Sequence, residues 1–269
     1  MEGTDERVMV TAPAVKRILR DVSSITRSPL ESQGIYYVHD ANDILRGLAM
    51  IVGPAGTVYQ GGYYFFEITY PPNYPHAPPA FKFYTNDGIA RMHPNLYKSG
   101  KVCLSVLNTW RGEGWTSCQT ISSVLLTVCS VLCPLPLLNE PGVPDSHRDM
   151  VPYDTIVAYK NFHLSIAEML TEGSSSFPLK FSCFLPRMRD LFLSGYAAIA
   201  ESAAAYKASH PVPVTLETTI YKMSVRVDFP GIHARLNALY DTLKSGSEGR
   251  SRSPLCNKKI AREVQLSST

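Results

Sequence analysis

Near the start of the chain, apolar positions recur at helical spacing. Val15, Ile18, Leu19 and Val22 fall on one side of residues 11–24, with Lys16, Arg17 and Arg20 on the other. Such a pattern predicts an amphipathic helix packed on a core, and Ser28-Pro29 should end it, because proline disfavours helical backbone in the residue before it. Three segments then take strand character. Residues 44–52 are apolar toward their end, residues 63–70 (YYFFEITY) are dense in aromatic and β-branched side chains after Gly61-Gly62, and residues 80–85 (AFKFYT) alternate. Between the last two, residues 71–79 hold five prolines in nine positions. Lacking those N–H donors, the stretch cannot pair as a central strand and is expected to form an ordered extended loop. Helical patterns return over 118–133, 153–170, 185–207 and 230–243, the third containing AAIAESAAAYKA, a run of strong helix formers. Strands in series with helices around them predict an α+β domain built on an antiparallel meander.

The pattern also divides the chain. Residues 1–10 read as an N-terminal tail, 11–172 as the principal domain, and 173–245 as a helical extension whose helices are separated by His210-Pro211-Val212-Pro213. Residues 246–269, rich in Ser, Lys and Arg, read as a disordered tail. A composition of 45% hydrophobic and 18% charged residues is that of a globular chain with a real core. The net charge of +3 is too small to point to nucleic acid, and most of it sits in residues 244–269, with six Lys/Arg against two Glu. The most apolar run, residues 121–138, is broken by serines, Thr127, Pro134 and Pro136, so it reads as a buried helix and loop and no membrane span is expected. Glu2, Asp5 and Glu6 leave no apolar centre for an export signal, and the six cysteines lack the spacing of a disulfide scaffold. Reduced thiols in the cytoplasm or nucleus are therefore expected.

Candidate chemistry concentrates in residues 92–142. Residues 97–100 (YKSG) read as a chain reversal, and Asn95 and Cys103 are equidistant from its middle, Ser99. Folding back there would bring a thiol beside an amide. That pair suits acyl transfer, since a thiolate can hold an acyl group as a thioester and a carboxamide can stabilise the oxyanion formed when an amine attacks. Pro94 would stiffen the turn and His93 would fix it through backbone hydrogen bonds. Taken singly, each residue has an ordinary structural explanation: a core cysteine, a structural histidine, a turn asparagine. Two other chemistries fit poorly. Gly100-Lys101-Val102 lacks the Ser/Thr and upstream Gly of a phosphate loop, so no bound ATP or other cofactor is expected. Cys129 and Cys133 share a helix face among Val and Leu, which suggests core packing, and no metal is expected.

The run HPNLYKSGKVCLSVLNTW, followed by WTSCQTISSVLLTVCSVLC and NEPG, resembles the active-site region of ubiquitin-conjugating enzymes. Upstream, GPAGTVYQGGYYFFEITYPPNYPHAPP is similar to that family's Tyr-Gly-Gly strand and Pro-rich loop, and the resemblance spans roughly residues 11–172. More narrowly, the long Cys103-to-Trp115 connection, Asn139–Gly142 and the helical extension resemble Z-type members of the family. The resemblance implies the family's ubiquitin-conjugating fold, an N-terminal helix, a four-stranded antiparallel meander and flanking helices. It implies Cys103 as thioester nucleophile, Asn95 as the oxyanion-stabilising or loop-organising amide, His93 and Pro94 as its supports, and Glu140 as the acidic residue that orients or deprotonates the incoming lysine. It implies ubiquitin or a ubiquitin-like modifier, an activating enzyme that consumes the ATP, and a ligase as partners, with Lys16 and Arg17 facing the activating enzyme. The extension would help to choose among activating enzymes.

Three departures bear on this. Ser105 stands where many relatives carry Asp, His76 occupies the ligase-docking position that usually holds a large apolar residue, and Thr116-Ser117-Cys118 replaces the usual Ser-Pro-Ala. Apolar anchors carry much of the energy of small interfaces, so these changes weaken the expectation of ordinary ligase docking and leave the thioester chemistry untouched. Two rival functions remain. A cysteine hydrolase would use Cys, His and Asn, although His93 and Asn95 flank a proline in one short loop where a triad needs a base oriented by a third group. A modifier-binding scaffold is the other, and the presence of Cys103 beside an intact His-Pro-Asn counts against it.

Overall fold

The computed structural model describes residues 9–251. Helix α1 (Ala12–Arg27) starts where Thr11 accepts a hydrogen bond from the Ala14 N–H and stops at Ser28, before Pro29. Its core stripe is Ala14, Ile18, Asp21 and Ile25, not the expected Val15–Ile18–Leu19–Val22 face. Leu19 is 52% exposed. The inward stripe keeps the three-and-four spacing of a 3.6-residue repeat, but one of its members is a carboxylate.

Four strands follow, β1 (Ile35–His39), β2 (Arg46–Val52), β3 (Tyr63–Thr69) and β4 (Ala80–Phe83), in the antiparallel order β1-β2-β3-β4. Sequence pattern gave three of them. β1 was missed because, of its residues, Ile35 alone is fully buried, so no alternation marks it. Register runs through Tyr37↔Ala49, Ala49↔Phe66 and Phe66↔Phe83. Residues 71–79 form the loop expected of a proline-rich stretch, joining β3 to β4.

β3 is buried at nearly every position because both faces of the sheet are covered. On one face Tyr64 donates to the side-chain oxygen of Asn161 at 2.6 Å, and Phe66 packs 5.4 Å from Phe83. Asn161 opens a π-helical turn (Asn161–Glu168) that continues α3 (Met150–Lys160). Gly62 is required there: a Cβ would fall 1.9 Å from the Asn161 oxygen. On the other face Phe65 meets the extension, stacking on Phe181 at 4.7 Å with Phe177 and Phe184 alongside. Tyr63 donates to the Met188 carbonyl, and Lys180 pairs with Glu67 at 2.9 Å. Buried apolar residues of the extension, from Phe177 to Leu236, thus belong to the same hydrophobic core as the sheet.

Helix α2 (Ile121–Ser130), capped reciprocally by Thr120 and Ser123, is shorter than the 118–133 expected. Helices α4 (Leu185–Ser209) and α5 (Phe229–Ser251) pair in the extension, Tyr206 stacking on Phe229 at 5.0 Å. Between them the sequence pattern showed only a proline-marked break, whereas the chain forms a two-stranded hairpin, β5 (Val214–Glu217) and β6 (Ser224–Val227). Their four-residue length and largely exposed β5 leave little periodicity to read. Residues 1–8 and 252–269, most of the two expected tails, lie outside the described residues; 246–251, assigned to the C-terminal tail, continue α5. Among the described residues no helix is long and apolar enough to cross a membrane.

Candidate active site

The chain reversal forms where the spacing placed it. Leu96 bridges Val102, the Tyr97 N–H donates to the Lys101 carbonyl, and the Cys103 N–H donates to the Asn95 carbonyl at 2.9 Å. Gly100 closes the turn with φ +87° while its carbonyl accepts from the Phe83 N–H, lashing the hairpin to β4. The Asn95 carboxamide donates to the carbonyl of Cys103 itself at 2.6 Å. There it organises the loop from a half-buried position beside Cys103.

His93 is fully buried and accepts from the Asn95 N–H through Nδ1 at 3.0 Å. Nε2 therefore carries the ring proton, and among the described residues no hydrogen-bond partner of normal geometry meets it. Burial, and secondarily the Arg91 guanidinium, push its pKa down to about 3 against a weak opposing pull from the Val131 carbonyl. A neutral, walled-in imidazole with its acceptor nitrogen occupied is a scaffold for the turn rather than a base.

Cys103 is 3% exposed, and its thiol donates to the Thr109 carbonyl at 2.8 Å. The cover is superficial. Residues 108–114 are exposed, and they fold back so that a Cβ on Gly112 would sit 3.1 Å from Ser105. Two features hold this flap. The Thr109 hydroxyl accepts from the Leu104 N–H and donates to the Val102 carbonyl, each at 2.9 Å. Asn108, in the left-handed region at φ 55°, accepts from the Trp115 N–H. The segment inserted between Cys103 and Trp115 is therefore the lid over the sulfur.

Glu140 follows a short 3-10 turn (Pro136–Asn139), and its carboxylate accepts from the Tyr221 hydroxyl rather than from Cys103, Asn95 or His93. Tyr221 belongs to the tip between β5 and β6, so the extension reaches the site, which its sequence did not signal. Arg91 was missed as well. Its guanidinium lies 3.4 Å from the Tyr97 ring centroid and 4.9 Å from that of Tyr221, and donates to the carbonyls of His93 and Pro94. No sequence spacing marks the contact with Tyr221, which is far from Arg91 in the chain.

Of the candidate partner residues, Lys16 is exposed on α1. Arg17 is not the free basic residue that the pattern suggested: it pairs with Asp21 at 2.9 Å and donates to the carbonyls of Ser117 and Gln119. Asp21 is buried and also accepts from Tyr74, so a guanidinium beside it is needed to balance the carboxylate. His76, Ser117 and Cys118 are exposed on two loops held together, since Ser117 and the Trp115 indole both donate to the Pro75 carbonyl. Cys129 and Cys133 are half-buried, Cys133 accepting from the Asn139 amide, and among the described residues no cluster of His, Cys, Asp or Glu has a metal-binding arrangement.

A family model for ubiquitin-conjugating enzymes matches residues 17–158. Among curated proteins, "Ubiquitin-conjugating enzyme E2 Z" of Danio rerio is 30% identical over 86% of this chain and 69% of its own length. The Xenopus tropicalis and Homo sapiens proteins of that name are 38% and 37% identical over 61% and 62% of this chain. The chain spans about half the length of the latter two, 52% and 48%. With the helix, the four-stranded meander and the His-Pro-Asn hairpin all present, the chain belongs to the ubiquitin-conjugating enzyme family.

Proposed function

We propose that this chain accepts ubiquitin, or a ubiquitin-like modifier, from an activating enzyme as a thioester on Cys103 and passes it to a lysine amine. The observation that carries this is the hairpin that fixes the Asn95 carboxamide on the peptide carbonyl of Cys103. In the first step the Cys103 sulfur, as thiolate, attacks the modifier's thioester on the activating enzyme and expels that enzyme's thiolate. ATP is spent upstream, so this chain needs no cofactor. In the second step a lysine nitrogen attacks the new thioester, the Asn95 amide turns its N–H toward the oxyanion, and the intermediate collapses by expelling the Cys103 thiolate. Lysine is mostly protonated near neutrality, with an ordinary pKa of about 10.4. Glu140 holds the ammonium and accepts its proton, and the neutral amine that results carries the lone pair that forms the C–N bond.

The lid imposes an order on these steps. Charging requires the Thr109 carbonyl to move off the sulfur, because at 3% exposure Cys103 offers no approach to an acyl carbon. A ligase would meet the surface of His76, Ser117 and Cys118, and an activating enzyme would meet Lys16 rather than Arg17. A hydrolase is disfavoured by His93, whose ring is buried and unable to serve as the base that a triad needs. The expected setting is the cytoplasm or nucleus, where thiols stay reduced.

The test is a charging panel of ubiquitin-like modifiers, each with its activating enzyme and ATP. A reductant-sensitive adduct of one modifier, absent from Cys103→Ala, is expected. Rapid release of free modifier without an adduct would favour hydrolysis, and no adduct from any pairing would favour a binding role.

A further inference from the structure

We infer that Tyr221, supplied by the C-terminal extension, is a positioning residue for Glu140 in the transfer step. This deepens the proposed function and rests on it. The Tyr221 hydroxyl donates to one carboxylate oxygen of Glu140, leaving the other oxygen for an incoming ammonium. The tyrosine is itself held firmly. It sits at φ 63° and is followed by Lys222 at φ 48°, two successive non-glycine residues in the left-handed region, which a chain adopts only where its surroundings enforce it. Those surroundings are on the catalytic side. The carboxylate of Asp149, at the N-cap position of α3, makes no cap bond; it accepts from the Thr219 hydroxyl and the Ile220 N–H, each at 2.7 Å. Thr218 closes the tip, its hydroxyl donating to the Ile220 carbonyl and its N–H to that of Met223. The Arg91 N–H donates to the Met223 sulfur, and the Arg91 guanidinium lies against the Tyr221 ring. Burial first, and the Glu140 carboxylate second, raise the Tyr221 pKa, so the phenol stays protonated and donating.

The arrangement has a functional meaning that simple docking would not need. A hydrophobic contact would dock the hairpin, but here a strained tip delivers a single donor to the Glu140 carboxylate, the group to which the proposed function gives the incoming lysine. A glutamate on a loop samples several rotamers. Fixing one of them before the amine arrives makes the acceptor's geometry a property of the extension.

The experiment uses the full chain pre-charged with the modifier it accepts, purified from activating enzyme, and then given free lysine. Single-turnover discharge is followed against lysine concentration for the wild type, Tyr221→Phe, Glu140→Gln and the double variant. Phenylalanine keeps the ring on Arg91 and removes only the hydroxyl. Tyr221→Phe is expected to lower the limiting discharge rate about fivefold to tenfold, and the double variant to be no slower than Glu140→Gln. If Glu140→Gln is slow and Tyr221→Phe is normal, the positioning role falls and that of Glu140 stands. If Glu140→Gln discharges normally, both fall together. If the two effects multiply in the double variant, Tyr221 acts by another route and the inference is overturned.

Discussion

His93 makes stability at mildly acidic pH a measure of the turn that holds Asn95 beside Cys103. In the folded chain its pKa lies at about 3, against 6.5 for a free imidazole, because the ring is fully buried with Arg91 nearby. The unfolded chain therefore binds the proton first. The stabilisation is complete above pH 6.5 and is lost progressively as pH falls toward 3. Between about pH 7.5 and pH 5, this one group withdraws about 2 kcal/mol by linkage, a sizeable part of the roughly 5–15 kcal/mol typical of a folded domain. Urea unfolding at both pH values, compared with His93→Asn, isolates the contribution. Asparagine can offer an oxygen where Nδ1 accepts from the Asn95 N–H, and it does not titrate. His39 and His163, whose pKa values burial also lowers, remain in both proteins and cancel. The wild type should lose about 2 kcal/mol more than the variant over that interval. Equal losses would mean that the ring takes up its proton without unfolding, and the description of a sealed, neutral support for Asn95 would be wrong.

Phe181→Ala removes a fully buried ring stacked on Phe65 and should cost about 3–5 kcal/mol. In a chain of this size that lowers Tm by roughly 6–20 °C, in one cooperative transition; a second transition with an unaffected N-terminal half would show that the extension folds apart. Thr109→Val keeps the shape of the lid's latch but loses its bonds to Leu104 and Val102. Labelling of Cys103 by a thiol reagent should accelerate about threefold to tenfold, and an unchanged rate would refute the latch. Arg17→Ala strands the buried Asp21 and frees two loop carbonyls, so a loss of about 2–4 kcal/mol in urea unfolding is expected. Lys16→Ala, one position away and exposed, should stay within about 0.5 kcal/mol, and equal effects would contradict the clamp.

What the sequence made legible was local. Thr11 and Ser28-Pro29 bounded α1, aromatic density marked β3, and the symmetric placement of Asn95 and Cys103 about Ser99 located the hairpin. Each of these signals is a short-range steric or hydrogen-bonding preference, written in neighbouring residues. The features that escaped are those in which a residue answers to a distant part of the chain. The burial of Asp21 could not be read from the sequence, because Tyr74, which donates to its carboxylate beside the same-helix Arg17, is 53 residues away. Arg91 and Tyr221 showed no periodicity because a cation against an aromatic ring needs proximity and nothing else. The cover over Cys103 was likewise hidden: the insertion was visible as extra length, but not the direction in which it would turn.

The roof that Phe177, Phe181 and Phe184 lay over Phe65 limits who can visit this protein. A protein seeking the broad surface of the sheet would find it already tenanted by the chain's own aromatic rings. Callers are left with the rims: the loops that carry His76 and Ser117, the lid, and the seam where the hairpin tip meets the active centre.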